Sequence, residues 1–403
     1  MGFHEMSGAA AACISGALGA VTFILCIPVL ILLTEVLAAL WKRDRHLKVC
    51  PGGHSLAVIV PAHNEGQRML PTLADVLAQI GQGNRLLVVA DNCSDDTAEV
   101  ARLAGAEVIE RRDEQNRGKG HALDYGIRHL SAAAPEVVIM VDADCRLADG
   151  AMDILAERAF ATGRPVQALY LMNAPAESSL NDRVSEFTWR VKNWVRPLGL
   201  SNLRLPCQLV GTGMAFPWAT LRSADLATGA LTEDLKLGID LAMRGHFPLF
   251  CPSALVTSHF AASSQGRLTQ QQRWEQGHQD LIRSMVPRLI SSAIAQRSMR
   301  LLAMALDLAV PPLFLLALKL FAIVAIAASA AASGLSSIPL YIGLAAVAAL
   351  ILSMVLAWCG HGRDVLPAKS LMSIIPYVYA KLRHHIRILA GGRATTWVRT
   401  DRS

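Results

Sequence analysis

Charged side chains are scarce in this sequence. Asp, Glu, Lys and Arg make up 17% of the 403 residues, 53% are hydrophobic, and the mean hydropathy is +0.36. An ordinary soluble enzyme carries more charge, so segments built for lipid are expected. Cys-x-x-Cys pairs are also missing, because the eight cysteines lie scattered along the chain. That gives neither a zinc site nor a disulfide framework, and a reducing compartment is the simpler reading. A dinucleotide fingerprint is missing as well. Where Gly-x-Gly-x-x-Gly would follow the first strand, the chain reads Pro61-Ala62-His63-Asn64-Glu65, which sets aside a nicotinamide-binding fold. The formal charge is +6, from 38 basic and 32 acidic side chains. Much of the excess lies beside apolar segments, which suits a membrane surface and not nucleic acid.

No Lys or Arg precedes residue 9, and an apolar run then extends over residues 9–40 with one charged residue, Glu35. About 20 such residues span a bilayer. Without a basic leader or a small-residue cleavage site, residues 1–41 read as a retained anchor. Lys42, Arg43, Arg45 and Lys48 follow at once. The positive-inside rule then puts the N-terminus outside and the next segment in the cytoplasm. Two more spans are expected at residues 311–332 and 338–359, joined by the uncharged external loop 333–337. Lys319 lies within the first of these and either snorkels to the interface or faces a polar path. Residues 367–380 read as an interfacial helix. The basic tail, with Lys381, Arg383, Arg387, Arg393, Arg399 and Arg402, is expected in the cytoplasm.

Between the anchor and residue 285, strands alternate with helices. The pattern predicts strands at 57–60, 86–90, 107–110 and 137–141 and helices at 67–80, 95–104 and 120–130, hence a largely parallel sheet with right-handed crossovers. The strand at 137–141 runs straight into Asp142-Ala143-Asp144. Ligands of open α/β sheets sit outside the carboxyl ends of the strands. Two carboxylates one residue apart repel, and a divalent cation relieves that repulsion; hard oxygen ligands suit Mg or Mn. Alone, Asp-x-Asp is also a common solvated turn.

Other pieces gather around it. Asp91 ends the second strand, where a carboxylate can accept from a ribose or a base. Arg117-Gly118-Lys119-Gly120 opens a helix and suits phosphate, or merely caps that helix. Gly211-Thr212-Gly213 marks close backbone approach or a bulge. Thr232-Glu233-Asp234 opens a helix and, in isolation, reads as an N-cap followed by acids. Gln270-x-x-Arg273-Trp274 puts a cation and an indole on one helical turn, near the membrane surface. Residues 180–198 carry one apolar stripe, which either packs on the domain or lies in the membrane interface.

Taken in order, Val-Pro-Ala-His-Asn-Glu at 60–65, Ala-Asp-Asn-Cys-Ser-Asp-Asp at 90–96, Val-Asp-Ala-Asp at 141–144, Thr-Glu-Asp at 232–234 and Gln-Gln-Gln-Arg-Trp at 270–274 resemble the motifs of membrane-bound family 2 glycosyltransferases. That group holds cellulose, hyaluronan and chitin-oligosaccharide synthases. The resemblance covers residues 55–285 and the flanking spans. The closing Trp397-Val398-Arg399-Thr400 is similar to the tail of bacterial exopolysaccharide glycosyltransferases. The resemblance implies a Rossmann-like α/β domain of the glycosyltransferase A type with flanking transmembrane helices, followed from residue 286 by interfacial helices, two spans and the tail. It implies that Asp91, Glu65, Lys119, Asp142, Gln270 and Arg273 bind a UDP-sugar, with Arg273 on the pyrophosphate. Asp144 and Asp142 would hold Mg or Mn, Asp144 being the better ligand. Asp234 would deprotonate the acceptor hydroxyl, and Trp274 and Glu233 would meet the acceptor. One base and no second nucleophile favour inversion.

The partners so implied are a UDP-sugar, a glycan or lipid-linked acceptor, membrane lipid and other polysaccharide export proteins, at a bacterial inner membrane with the catalytic domain cytoplasmic. The chain is shorter than the large polymer synthases, which argues against a full secretion channel and for transfer of one or a few sugars to a lipid-linked acceptor. Sphingolipid-type glucosyltransferases commonly have His where Thr232 stands. A transporter would need more polar residues in more spans, and a non-catalytic nucleotide-sugar sensor would not need Asp234.

Overall fold

The computed structural model describes residues 8–41, 53–175, 178–228, 232–261 and 264–371. A long helix, α1 (Gly8–Ala39), leads the chain. Then come β1 (Leu56–Ala62), α2 (Leu70–Gln79), β2 (Arg85–Asp91), α3 (Thr97–Leu103), β3 (Glu107–Arg111), α4 (Lys119–Leu130) and β4 (Val137–Met140). The four strands are parallel, in the spatial order β3-β2-β1-β4. The helix expected at 67–80 divides into a 3-10 turn, Gly66–Met69, and α2. Pro71 explains the division: it lacks an N–H and suits the first turn of an α-helix.

Both faces of this half-sheet are buried. Val58, Val60 and Ile139 pack with Met69, Leu73 and Leu155 on one side, and Ile59, Leu87 and Val89 pack with Leu123 and Ile127 of α4 on the other. Strands covered on both faces read as continuous apolar runs, which is why sequence reveals them.

Beyond β4 the largely parallel expectation needs correction. The chain continues through β5 (Arg146–Leu147), α5 (Ala151–Thr162), β6 (Val166–Asn173), α6 (Leu180–Arg190), a π turn (Val191–Val195), α7 (Arg196–Asn202), β7 (Met214–Pro217), α8 (Trp218–Leu221), α9 (Glu233–Met243) and β8 (Leu249–His259). The full order is β3-β2-β1-β4-β7-β6-β8-β5. β7 enters antiparallel between β4 and β6, β6 and β8 are parallel, and β5 is antiparallel to β8. The cause is the long excursion through α6 and α7, which returns the chain to the centre of the sheet from the opposite end.

α10 (Ser264–Ala295) and α11 (Met299–Ala309) lead to α12 (Leu313–Ala332), α13 (Ile338–His361) and α14 (Ala368–Leu371). Among the described residues three helices, α1, α12 and α13, are long and apolar enough to cross a membrane. Lys42, Arg43, Arg45, Lys48, most of the expected helix 367–380 and the basic tail with Trp397 lie outside the described residues.

The stripe at 180–198 does neither of the two things expected alone. Phe187, Val191 and Val195 bury against Val29, Leu32, Val36, Leu320 and Ala357 of the long apolar helices α1, α12 and α13, while Trp194 and Leu198 reach Leu169, Leu171 and Phe250 of the sheet. The segment is the joint between sheet and spans. At Gly199 a methyl group would stand 1.9 Å from the Glu35 carbonyl oxygen, so only glycine lets α7 lie on α1. Arg196 Nε donates to Glu35 Oε2 at 2.6 Å, its Nη2 donates to Asp307 Oδ1 at 2.5 Å, and all three residues are buried. Removing one partner of such a group strands buried charge at a cost of ~3–5 kcal/mol, whereas well-packed apolar replacements of all members are often neutral. Arg196→Met should therefore lower the melting temperature of the detergent-solubilised protein sharply, and adding Glu35→Leu and Asp307→Leu should recover most of the loss. An unchanged melting temperature in Arg196→Met would refute this joint.

Candidate active site

The carboxyl ends of β1, β2 and β4 point the same way. Asp142 follows β4, and its N–H donates to Thr212 Oγ1 at 3.0 Å. Lys119, the first residue of α4, ion-pairs with the Asp142 carboxylate and donates to Gly211 O at 2.6 Å. A methyl group at Gly213, with φ +62, would stand 2.8 Å from Ala168 Cβ and Val256 Cγ2, so close approach is the reading of Gly211-Thr212-Gly213 that holds. At Gly211, a methyl group would stand 3.2 Å from Asp234 Oδ2 and 3.6 Å from Lys119 Nζ. Asp234 and Lys119 thus meet at one glycine, and Lys119 ties Asp142 to them. Burial opposes the charge of Lys119, but Asp142, Glu233 and Asp234 outweigh it and hold the ammonium above its ordinary value. Lys119, expected at a phosphate, is held here against the Asp142 carboxylate at the head of α4.

Asp144 lies beside this group. Ser258 Oγ donates to Asp144 Oδ2 at 3.3 Å, and the nearest ligand atoms of Asp142, Asp144 and Cys145 lie within 4.8 Å of one another. Burial, with the charges of Asp144 and Asp142, pushes the Cys145 thiol well above its ordinary value. Sulfur is a soft ligand, whereas the two carboxylates make a donor set that fits a hard divalent ion such as Mg or Mn.

Asp91 ends β2 and is 7% exposed. Arg111 Nη1 donates to Asp91 Oδ1 at 2.6 Å, and Asn92 Nδ2 donates to the same oxygen at 3.1 Å. His63 Nδ1 donates to the Asp91 carbonyl at 2.7 Å, tying the loop after β1 to the end of β2. Glu65 N–H donates to Thr97 Oγ1 at 2.9 Å. Asn64, Glu65, Gln67, Arg68, Ser94 and Asp95 line an open cleft of about 390 Å³ between these loops.

Glu233 and Asp234 form the first turn of α9. Thr232 occupies the N-cap position, but its side chain makes no cap hydrogen bond, so the capping reading of the triplet is corrected. The backbone there is not extended (φ −133, ψ 63), and the hydroxyl misses the turn. Burial raises the Asp234 carboxyl against the opposing Lys119 charge. Glu233 is raised to about 7, by burial and then by Asp234. A carboxylate tuned toward neutrality suits proton abstraction.

Gln270, Arg273 and Trp274 lie on α10, and Gln270 is buried. The Trp274 ring rests on Trp189 at 4.9 Å between centroids. Trp189 meets Tyr170 and Phe260 edge-on and donates its Nε1–H to Tyr170 O at 3.2 Å. Trp274 thus packs, partly buried, against the sheet's core. Its partners come from β6 and α6, remote in sequence, so local spacing could not reveal them. The same remoteness hid Arg111, Tyr170, Ser258 and Trp189. Lys192 was visible only as one of several cations on the stripe at 180–198.

A sheet whose central parallel strand ends in paired carboxylates, beside a buried acid and an aromatic wall, is the layout of a nucleotide-sugar glycosyltransferase. The chain belongs to the family described as glycosyltransferase like family 2, whose model matches residues 51–277. An uncharacterized glycosyltransferase of Mycobacterium bovis is 40% identical over 101 residues, 25% of this chain and 39% of the relative. The 4,4'-diaponeurosporenoate glycosyltransferase of Staphylococcus haemolyticus is 36% identical over 97 residues, 23% of this chain and 25% of the relative. The chain thus matches well under half the length of these relatives. Among solved structures, the mannosyltransferase PcManGT from Pyrobaculum calidifontis, in complex with GDP-Man and Mn2+, has a TM-score of 0.50 and 18% identity, covering 85% of this chain and 99% of that one. At that identity the likeness concerns the fold.

Proposed function

We propose that this protein transfers a sugar from a UDP-sugar to a glycan or lipid-linked acceptor, with inversion, at the cytoplasmic face of a bacterial inner membrane, in exopolysaccharide or other cell-surface polysaccharide synthesis. The observation that carries the reading is the meeting of Asp234 and Lys119 at Gly211, with Lys119 paired to Asp142. Asp144 and Asp142 would hold Mg or Mn, and such an ion, when bound, offsets charge on a departing diphosphate. Lys119 fixes the orientation of Asp142. Asp234 takes the acceptor's hydroxyl proton. Asp91 and Glu65 bind the nucleoside from adjacent strand ends. Gln270 and Arg273 hold the diphosphate, for which a guanidinium offers a bidentate clamp. Trp274, braced by Trp189, offers its face to the acceptor sugar, with Glu233 beside it. The Trp397-Val398-Arg399-Thr400 tail supports the exopolysaccharide assignment and, with it, partnership with export proteins. UDP release from purified membranes, with and without added acceptor, tests the reaction, and mass spectrometry of products from a panel of UDP-sugars identifies the sugar. No UDP release with any donor would overturn it.

The acid pair gives the reaction a pH dependence. Transfer should rise with pH through a limb above the ordinary carboxylate range, approaching pH 7, where Glu233 loses its proton. Below that limb the pair retains a proton and the base is lost. Glu233→Gln removes the neighbouring negative charge, so the limb should move to lower pH. A limb that stays in place would assign it to another group.

Three spans with an external N-terminus require the loop at 333–337 to lie outside. In a cysteine-free background, a Cys replacing Ser336 should be labelled by an impermeant reagent on intact cells, and a Cys replacing Ser403 should not. The reverse pattern would invert the topology and sink the cytoplasmic assignment.

A further inference from the structure

Three arginines gather at the amino ends of β6 and β8, the end of the sheet opposite the carboxylate site. Arg164 precedes β6, and its Nε donates to Phe247 O at 2.8 Å. Arg300, in the first turn of α11, holds its guanidinium 5.6 Å from the centre of the same Phe247 ring. Arg158, in the last turns of α5, is the third. Its Nε is buried and has no hydrogen-bond partner among the described residues. Cys207 adjoins the group: its N–H donates to Pro248 O at 3.2 Å, and the charges of Arg164 and Arg158 both act on its thiol. Elsewhere the chain pairs its arginines with acids, as at Arg85, Arg102, Arg146 and Arg190. Among the described residues Arg158, Arg164 and Arg300 have no ion pair. Burial, and then the charge of Arg300, pull Arg164 below its ordinary value, and Arg158 pulls the same way. A guanidinium does not shed its proton in a protein, so the repulsion among the three persists until an anion arrives. The first turn of α11 holds no acid, and its N–H groups add partial positive charge beside Arg300.

We propose that Arg158, Arg164 and Arg300 form a binding site for a phosphate group, separate from the transfer site and independent of the reaction proposed above. Guanidinium forks match phosphate oxygens in bidentate fashion, and three positive charges suit a phosphate dianion better than a single carboxylate. The length of β8, Leu249–His259, separates this corner from Ser258 and Asp144 by roughly 30 Å. The corner is also a seam. Phe247 belongs to the apolar cluster that joins Leu235 of α9 to Leu281 of α10 and Leu301 of α11. A phosphate held by all three arginines ties α5 and the start of β6 to α11 across that seam. Because the three come together only in the folded chain, the ligand stabilises the fold.

The test melts the full-length protein in detergent while inorganic phosphate is titrated, with sodium chloride at matched ionic strength as the control. Phosphate should raise the melting temperature and saturate. Arg300→Gln should weaken binding ~10-fold or more, the scale of one charge-assisted hydrogen bond. Arg300 is exposed and its described contact is a ring face, so this variant keeps the fold. Arg164→Gln should weaken binding as much, and Arg102→Gln, beside the opposite edge of the sheet, should change nothing. Dihexanoyl phosphatidic acid, with dihexanoyl phosphatidylcholine as its control, identifies the source. Arg300-dependent binding of the phosphatidic acid well above that of inorganic phosphate marks a lipid headgroup, and equal affinity marks a soluble phosphate. Saturating UDP with Mg should leave the phosphate affinity unchanged, whereas competition by UDP would put the phosphate in the transfer site and overturn the proposal. An equal rise in melting temperature with sodium chloride overturns it too, as does unchanged phosphate affinity in both Arg300→Gln and Arg164→Gln.

Discussion

Asp234→Asn should leave UDP binding intact and cut transfer by ~10²-fold or more, the usual scale for losing a general base. The substitution keeps the side chain's size and much of its hydrogen bonding, and removes only its basicity. Geometry selects Asp234 over its neighbour Glu233. Asp234 Oδ2 is the carboxylate oxygen that a methyl group at Gly211 would meet, at 3.2 Å, beside Lys119 Nζ at 3.6 Å. A proton taken from an acceptor there arrives next to an ammonium already paired with Asp142. Asp234→Asn also lifts one negative charge from a buried cluster, so the variant should be at least as stable as the parent. A fall in melting temperature would show that the carboxylate serves the fold. Transfer measured as UDP release at saturating donor, together with UDP affinity, separates the base from a binding group. Near-normal release refutes the role, and loss of UDP affinity moves Asp234 to the donor side.

In the first half of the sheet β1, β2 and β4 were legible because each is a buried run of mostly apolar residues. β1, β2 and β4 fall within two residues of their expected ends. The second half was not legible, because β7 reaches its place between β4 and β6 only after the chain has passed through α6 and α7, and sequence adjacency says nothing about such a return. The carboxylates of the site were legible as residue types at strand and helix ends. Their partners were not. Arg111 on Asp91, Ser258 on Asp144 and Gly211 between Lys119 and Asp234 are contacts made across elements. Thr232 shows the limit of local rules. A threonine before two acids at a helix start fits a cap in every respect except the backbone angles it takes.

Asp144→Ala should abolish metal-dependent UDP binding, and Asp142→Ala should fail in a different way. Asp144 accepts from Ser258 Oγ and lies beside the Cys145 thiol. Its loss should cost at least ~100-fold in UDP affinity with Mn present, since even outer-shell changes at metal sites cost roughly 10–100-fold. Asp142 instead pairs with Lys119. Removing it frees that ammonium toward Glu233 and Asp234, the other two carboxylates that hold it charged. Asp142→Ala should therefore weaken UDP binding and also move the acid limb of transfer to lower pH, because a closer cation stabilises the ionised base. Cys145→Ser supplies the control: Mg or Mn takes oxygen ligands in preference to sulfur, so metal-dependent UDP binding should persist. Titrating UDP into each purified variant with Mn and with chelator decides the matter. Equal affinity with and without Mn in the parent protein would remove the ion from this site, and undiminished Mn-dependent binding in Asp144→Ala would remove Asp144 from the ion.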